Sequence, residues 1–305
     1  MTKMANDSHY QNRTDSPNSE FCSSSECIAW LTILNIEAVA IVTMNALTII
    51  IYLKERTLRK RSMYLVINLA VADMFVTYNV IVEILLLGNI CNFWTITLYK
   101  RLGISEIVIT SLVFFFPTAS VTNLTAISLE RMHATFRPFK HRLIKKKMFG
   151  AAVAGVWFTA ALSTAIALSA LRLDITIFFY VQVAHSLFLL GCLCIILVSY
   201  LSIAIKFYCG THPQHHCATS KARKVTKTLF IVTIVSLILV LPYNIVRIGF
   251  YVELRSGERL ETIFHQIKRN FNLMESFFCL FFANSFINPL LYALKMPEFK
   301  RALFL

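Results

Sequence analysis

The sequence predicts an all-α fold, a bundle of seven transmembrane helices with the N-terminus outside the cell. Hydrophobic residues make up 57% of the chain and charged residues only 15%, whereas soluble domains carry roughly 25% charged residues. Seven segments reach the length of about 20 mainly apolar residues that a spanning helix needs. Lys and Arg collect in alternate connections, as they do on the cytoplasmic side of a membrane.

The predicted spans follow one another closely. They cover residues 28–53, 63–88, 103–129, 149–171, 177–206, 225–250 and 271–294. The connections leave little material for a soluble domain, so residues 28–294 are predicted to form one domain after an outer segment, 1–27. Residues 295–305 are predicted to form a short amphipathic eighth helix and tail on the cytoplasmic side, with basic residues towards the lipid headgroups.

The distribution of basic residues sets this orientation. Lys and Arg concentrate in residues 54–61, 137–147, 221–227 and 295–301, whereas the outer segment is net acidic. The net charge of +14 is therefore explained by the topology and by contact with anionic membrane lipids. Binding to nucleic acid is the weaker interpretation, because the basic residues are scattered over short loops.

Two kinds of residue on the outer side are candidates for covalent modification. Asn6 and Asn12 lie in acceptor sequons for N-glycosylation, NDS and NRT. Cys22, Cys27 and Cys91 would face the oxidising exterior, where disulfides persist. Because three is an odd number, at most one bridge forms among them. Either Cys27 or Cys22, paired with Cys91, would tie the outer segment to the first outer loop.

Polar side chains recur inside the spans, where they are costly and usually functional. They are Asn45 in span one, Asp73 in span two, Ser120 in span three, and Asn284, Ser285 and Asn288 in span seven. An unpaired Asp in hydrocarbon must either protonate or find a cation. Ringed by Ser and Asn oxygens, Asp73 is suited to a small hard cation such as sodium. Pro289 is expected to break span seven beside this ring and to free carbonyl groups.

An acid–base couple, Glu130 and Arg131, ends span three in the stretch AISLERMHATFRPFKHR (126–142). Charges at the edge of an apolar segment cost free energy. One interpretation is a pair that extends to the membrane interface without further function. The other is a functional pair.

Taken in order, these motifs resemble the rhodopsin-like (class A) G-protein-coupled receptors. The motifs are Asn45, NLAVAD (68–73), Glu130-Arg131, Trp157, Pro242 and NPLLY (288–292). Each is weak alone, but together they fall in the matching spans from about residue 28 to 304. The resemblance implies a receptor of the plasma membrane, not an enzyme, with no cofactor besides an allosteric sodium ion. The implied sodium pocket is Asp73, Ser120, Asn284, Ser285 and Asn288.

The resemblance also implies a switch at the inner end of span three. There the Glu130 carboxylate holds the Arg131 guanidinium at rest, and Arg is suited because it does not deprotonate. On activation the Arg swings towards two tyrosines and opens a cleft for a heterotrimeric G protein. The implied switch and coupling residues are Glu130, Arg131, Pro138, Phe139, Tyr200, Pro289 and Tyr292.

The chain departs from the family pattern at several positions. Val240 and Ser236 replace the aromatic pair of helix six, Cys192 the proline of helix five, Glu106 the bridging cysteine of helix three, and Ala222 the acid at the foot of helix six. Fewer resting contacts suggest signalling without ligand. The same departures motivate an alternative, a receptor-like membrane partner that does not signal.

The ligand is approached through comparison with receptor subgroups. Amine receptors carry an Asp where this chain has Val113, and opsins carry a Lys where it has Phe282. The missing bridge, the missing helix-five proline and a very short second outer loop resemble the melanocortin, cannabinoid and lysophospholipid receptors. In melanocortin receptors, acids near the outer ends of helices two and three bind the ligand's Arg together with calcium.

Glu83 and Glu106 match two of those acidic positions, and the third is Thr110. The predicted ligand pocket is Glu83, Glu106, Thr110 and Val113. It would favour a cationic peptide or amine, with calcium as a possible companion. In the alternative interpretation Glu83 pairs with Arg247 or Lys100, Glu106 is an interfacial acid, and a lipid ligand enters through the bilayer.

Other function classes lack their usual patterns in this sequence. A transporter of similar size would show paired broken helices in two related halves, and no similarity between halves is found. An intramembrane protease would need a Ser/His pair, paired Asp residues or an HExxH motif, and the sequence contains no such constellation.

Overall fold

The computed structural model describes residues 22–54, 63–94, 103–209, 231, 234–249 and 269–295. The sequons at Asn6 and Asn12, the position of Ala222 and the predicted eighth helix lie outside the described residues.

Seven long helices account for most of the described residues. They are α1 (Ser24–Lys54), α2 (Met63–Ile90), α3 (Gly103–Phe136), α4 (Lys146–Leu173), α5 (Ile175–Cys209), α6 (Ile234–Gly249) and α7 (Phe271–Lys295). A short loop helix, Pro138–Leu143, follows α3. Six of the seven are long and apolar enough to cross a membrane, and the described part of α6 is a shorter apolar helix. The predicted all-α bundle is confirmed.

Helix α3 continues beyond the predicted end of span three, so the Glu130–Arg131 couple lies within the helix and not after it. No Gly or Pro interrupts the sequence between these residues and Phe136. The helix ends before Arg137, because the residue that precedes a proline disfavours the helical conformation. Pro138 then occupies the first turn of the loop helix, where a missing N–H costs nothing.

Local hydrogen bonds define the outer ends of the helices. Helix α1 begins with a capping box, in which the Glu26 amide donates to Ser23 Oγ and the Ser23 amide donates to the Glu26 carboxylate. Helix α2 ends in a Schellman motif around Asn92, which has φ 60°. There the Phe93 amide donates to the Gly88 carbonyl at 2.9 Å.

A single residue, Asp174, connects α4 to α5. Its side chain accepts a hydrogen bond from the Thr176 amide, and its amide donates to the Ala170 carbonyl. It therefore caps α5 while ending α4. A connection of this length agrees with the very short second outer loop seen in the sequence.

Apolar side chains cover the lipid-facing surface of the bundle and polar side chains lie in its interior, as helices in lipid require. Large apolar residues on four helices are 61–69% exposed: Ile36, Val39, Phe158, Ile205 and Ile238. The largest cluster of buried apolar residues draws members from all seven helices. Packing of the bundle therefore fixes the mutual rotation of the helices and decides which polar residues meet.

A buried polar network joins α2, α3 and α4. Asn123 Nδ2 donates to the Leu65 carbonyl at 2.7 Å, and its Oδ1 accepts from Asn68 Nδ2 at 3.0 Å. Trp157 Nε1 donates to Asn68 Oδ1 at 2.8 Å. Asn123, which also matches a glycosylation sequon, is thus a buried link between helices.

Of the three outer cysteines, the structure joins Cys27 in α1 to Cys91 after α2. Cys22 keeps a free thiol that contacts the Glu26 carboxylate at 3.3 Å. Partial burial and the hydrogen bond to Glu26 raise the pKa of the Cys22 thiol to about 11. Because the thiolate is the reactive form of cysteine, this environment lowers the reactivity of the Cys22 thiol.

Candidate functional site

The first candidate site is a buried polar cluster between α2, α3 and α7, around Asp73. This carboxyl group is fully buried. Ser120 Oγ donates to its Oδ1 at 2.5 Å, and Asn288 Nδ2 lies 3.4 Å from its Oδ2. The Ser285 side chain also lies close enough to interact with it. Two helices, α3 and α7, thus contribute polar groups to the carboxylate of α2.

Pro289 shapes this cluster without interrupting α7, which is continuous from Phe271 to Lys295. The expected break is therefore not seen. Proline has no N–H to donate to the carbonyl four residues earlier, which is that of Ser285. Asn45 Nδ2 donates to this carbonyl at 2.9 Å. Asn45 in α1 thereby satisfies the group that Pro289 releases.

The cluster suits a small hard cation because it contains amide oxygens to which no group in the described part of the chain donates a hydrogen bond. Asn284 and Asn288 are both buried, and their Oδ1 atoms have no hydrogen-bond partner among the described residues. A buried acceptor without a partner costs free energy. The carboxylate, the Ser120 hydroxyl group and the Asn288 amide oxygen provide part of the all-oxygen surroundings that hard cations prefer, and Asn284 lies one turn before Asn288 on α7.

The second candidate site lies at the inner end of α3. Arg131 Nε lies 3.2 Å from Glu130 Oε2, and His141 Nε2 lies 2.9 Å from Glu130 Oε1. Each oxygen of the carboxylate therefore lies within ion-pair distance of a basic side chain, and the Arg131 Nε contact lacks hydrogen-bond geometry. Sequence reasoning missed His141, because nothing in the spacing shows that the loop helix turns back to place its fourth residue against α3.

Surrounding residues extend this site towards α5. Tyr200 is buried and lies within electrostatic range of Arg131 and Glu130. Lys206 Nζ donates to the Thr135 carbonyl, which ties α5 to the last turn of α3. Tyr292 lies on α7, and its side chain is outside the described residues.

The loop helix carries the two remaining predicted coupling residues on its surface. Pro138 is exposed, and Phe139 is 82% exposed. His141, four residues into the same helix, points the other way and contacts Glu130. The short helix therefore links an exposed aromatic ring to the Glu130–Arg131 pair.

The third candidate site lies in the outer half of the bundle and differs from the predicted pocket. Glu83 on α2 is partly buried and interacts electrostatically with Glu275 on α7. Glu37 on α1 shares the neighbouring Cys279 with both acids. Glu37 and Glu275 are buried, and one carboxylate oxygen of each has no partner among the described residues.

Of the other predicted pocket residues, Thr110 and Val113 are partly buried about one turn apart on α3. Glu106 lies on the same helix, and its side chain is outside the described residues. Arg247 donates to Gln182 and lies 3.2 Å from His185 on α5, so no pairing with Glu83 is seen. Intramembrane acids are a functional signal in themselves, and that signal could have identified the acids of α1 and α7.

Comparison with known proteins identifies the family. The family of 7 transmembrane receptors (rhodopsin family) matches residues 44–292, most of the bundle. The chain belongs to this receptor family. It is therefore a multi-pass membrane receptor for signalling and not an enzyme. The predicted membership is confirmed at this level, which covers the α-helical fold and the orientation with the N-terminus outside.

The chain is also similar to the octopamine receptor beta-2R of Drosophila melanogaster. The two sequences are 25% identical over 164 residues, which is 50% of this chain. The match spans 28% of the octopamine receptor's length. This similarity supports a signalling receptor.

Proposed function

We propose that this receptor passes an extracellular signal to heterotrimeric G proteins through the inner end of α3, at the plasma membrane. The observation that carries the proposal is the Glu130 carboxylate, which contacts both Arg131 and His141. The same loop helix presents Phe139 almost fully exposed. A large exposed aromatic side chain beside a charged switch fits a surface that a partner protein covers.

The geometry suggests how the switch works. At rest the Arg131 guanidinium is held by the adjacent carboxylate through a charge-assisted contact. When the inner ends of the helices separate, the guanidinium turns towards Tyr200 and leaves a cleft. Because His141 binds the other oxygen of Glu130, the loop helix and the Arg131 position respond together. The G protein would then contact Phe139 and the opened cleft at the same time.

We further propose that sodium stabilises the resting receptor at Asp73. The carboxylate, the hydroxyl groups of Ser120 and Ser285, and the amide oxygens of Asn284 and Asn288 would hold the ion. A bound cation supplies the counter-charge that a buried carboxylate lacks. These residues come from α2, α3 and α7, so the ion would favour the arrangement in which those helices lie close.

For the ligand, we propose a cationic group that binds the acids of the outer bundle. Glu83 and Glu275 lie close enough to repel, and a cation relieves that repulsion. Val113 is uncharged at the position where amine receptors carry an Asp. A cationic ligand would therefore bind to the acids of α2 and α7, with Glu37 nearby. Calcium and the side chain of Glu106 remain part of this proposal.

A ligand screen tests this assignment. Glu83→Gln combined with Glu275→Gln should weaken binding of cationic peptides and amines about tenfold to a hundredfold, because each charged hydrogen bond contributes about 1.5–3 kcal/mol. The matched control is Glu26→Gln, a partly exposed outer acid at the start of α1, where Gln can also complete the capping box. Binding would be measured on purified receptor, with neutral lipids in the same panel. Activation by lipids that is equal in wild type and double variant, with no cationic ligand bound, would contradict the proposal and favour the lipid alternative.

A further inference from the structure

Arg247 lies near the outer end of α6 and extends towards α3 and α5. Its Nη2 donates to Gln182 Oε1 at 2.5 Å and lies 3.2 Å from His185 Nδ1. Gln182 and His185 are each 6% exposed, so this is a built-in polar site in the bundle and not a surface contact.

The hydrogen bonds around His185 indicate that its ring is neutral. An Arg has only donors, so the Nδ1 atom that it meets must be an acceptor. The proton then lies on Nε2, which contacts Thr118 Oγ1 at 2.8 Å, and Thr118 in turn donates to the Phe114 carbonyl. Thr118 Oγ1 and both ring nitrogens of His185 therefore have partners. The neighbours of the guanidinium are therefore neutral.

The remaining contacts of Arg247 are also uncharged. Its Cζ lies 5.9 Å from the ring centroids of both Phe114 and Tyr243. Such contacts contribute about 0.5–2 kcal/mol. Arg247 is partly buried, so it loses part of its hydration, and the complete removal of a charged group from water would cost several kcal/mol.

The guanidinium keeps unused donors. Its Nε is buried and has no hydrogen-bond partner among the described residues. Within those residues, ion pairs occur at Glu130, and no carboxylate lies within 4.0 Å of Arg247. Both observed contacts involve Nη2, so Nε and Nη1 remain as donors that can each give a hydrogen bond to an oxyanion.

We propose that Arg247, with Gln182 and His185, forms a binding site for an oxyanion of the ligand, a carboxylate or a phosphate. The ring faces of Phe114 and Tyr243 beside the guanidinium suit an aromatic or apolar group next to that anion. This inference rests on the proposed function in one respect, that the outer half of the bundle is the ligand site. Together with the acids on α1, α2 and α7, the site favours a ligand that carries both charges.

The test is thermal unfolding of the purified full-length receptor in detergent with small probes. The probes are 3-phenylpropionate, phenyl phosphate and the neutral analogue 3-phenylpropionamide. We expect one or both anions to raise the unfolding temperature of the wild type while the amide does not. The anion that raises the unfolding temperature more shows whether the site prefers a carboxylate or a phosphate. Arg247→Gln should weaken binding of the anion that stabilises the wild type by about tenfold to a hundredfold. Arg247→Lys should retain part of the stabilisation by that anion.

The matched control is Arg172→Gln, an exposed Arg at the outer end of α4, which should respond to the anions as the wild type does. Three results would each overturn the inference: no stabilisation of the wild type by either anion, equal stabilisation by the amide, or an undiminished effect in Arg247→Gln. The measurement needs no G protein. A receptor that binds the anions without catalysing nucleotide exchange would contradict only the proposed signalling. A receptor that catalyses exchange without binding the anions would contradict only the oxyanion site.

Discussion

Replacing Glu130 with Gln should raise ligand-independent nucleotide exchange on the G protein several-fold. Gln keeps the size of the side chain and can still accept the hydrogen bond from His141, but it removes the charge that holds Arg131. An ion pair at this half-buried position contributes on the order of 1 kcal/mol. About 1.4 kcal/mol corresponds to a tenfold change in an equilibrium constant. The loss of about 1 kcal/mol should therefore increase the ratio of active to resting receptor by less than tenfold.

The control for this substitution is Lys140→Gln, which changes an exposed charge on the same loop helix and should leave exchange close to the wild-type value. His141→Ala should give a smaller increase than Glu130→Gln, since it removes one contact of the carboxylate and leaves its charge. Exchange in Glu130→Gln that is equal to or lower than wild type, at matched surface expression, would show that the carboxylate does not restrain Arg131.

The second large effect is expected at Asp73. In wild type, raising NaCl at constant ionic strength, with KCl as the balance, should raise the unfolding temperature. At a sodium concentration about ten times the dissociation constant, binding stabilises the protein by about 1.4 kcal/mol, which corresponds to a shift of roughly 2–3 °C for a chain of 305 residues. Asp73→Asn keeps the size of the side chain and removes its charge, so the sodium-dependent shift should disappear.

Asp174→Asn is the matched control for the sodium experiment. It makes the same chemical change at an exposed position that caps α5, and Asn caps helices about as well as Asp. Its sodium dependence should equal that of wild type. A sodium-dependent shift that persists in Asp73→Asn would mean that the ion binds elsewhere or acts non-specifically.

The number, order and type of the helices could be predicted from the sequence because long apolar segments have few alternatives in a membrane. The polar residues of the Asp73 cluster were found in the same way, since each stands out in its own span. Their hydrogen bonds could not be found from one sequence. Whether the Asn45 amide reaches the Ser285 carbonyl depends on how α1 and α7 are rotated against each other, and the packing of the whole bundle decides that rotation.

The outer pocket shows more clearly which contacts a single sequence does not reveal. Glu83 and Glu106 were paired in the prediction because both stand near the outer ends of neighbouring spans. The structure instead brings Glu83 towards Glu275 on α7, a helix almost 200 positions away in the sequence. Arg247 was considered as a partner for Glu83, but it faces α5. Contacts between distant helices are set by tertiary packing and leave no local signal.

At the inner end, the prediction found the Glu130–Arg131 pair and missed His141. The basic cluster after Pro138 was attributed to topology alone, which explains its charge but not its contacts. Histidine can donate to a carboxylate and bind close to it. Only the fold of the loop helix shows that His141, unlike the exposed Lys140 and Arg142 on either side, turns towards α3.

The measurement that tests the central claim most directly is nucleotide exchange in membranes that contain the receptor and a panel of purified G-protein subtypes. Wild type should stimulate exchange of at least one subtype above membranes without receptor, and Arg131→Ala should reduce that exchange to background. Arg137→Ala, which removes an exposed Arg six residues further along the chain, should retain it. Equal exchange in wild type and Arg131→Ala, or no exchange above background by wild type with any subtype, would contradict signalling through the inner end of α3.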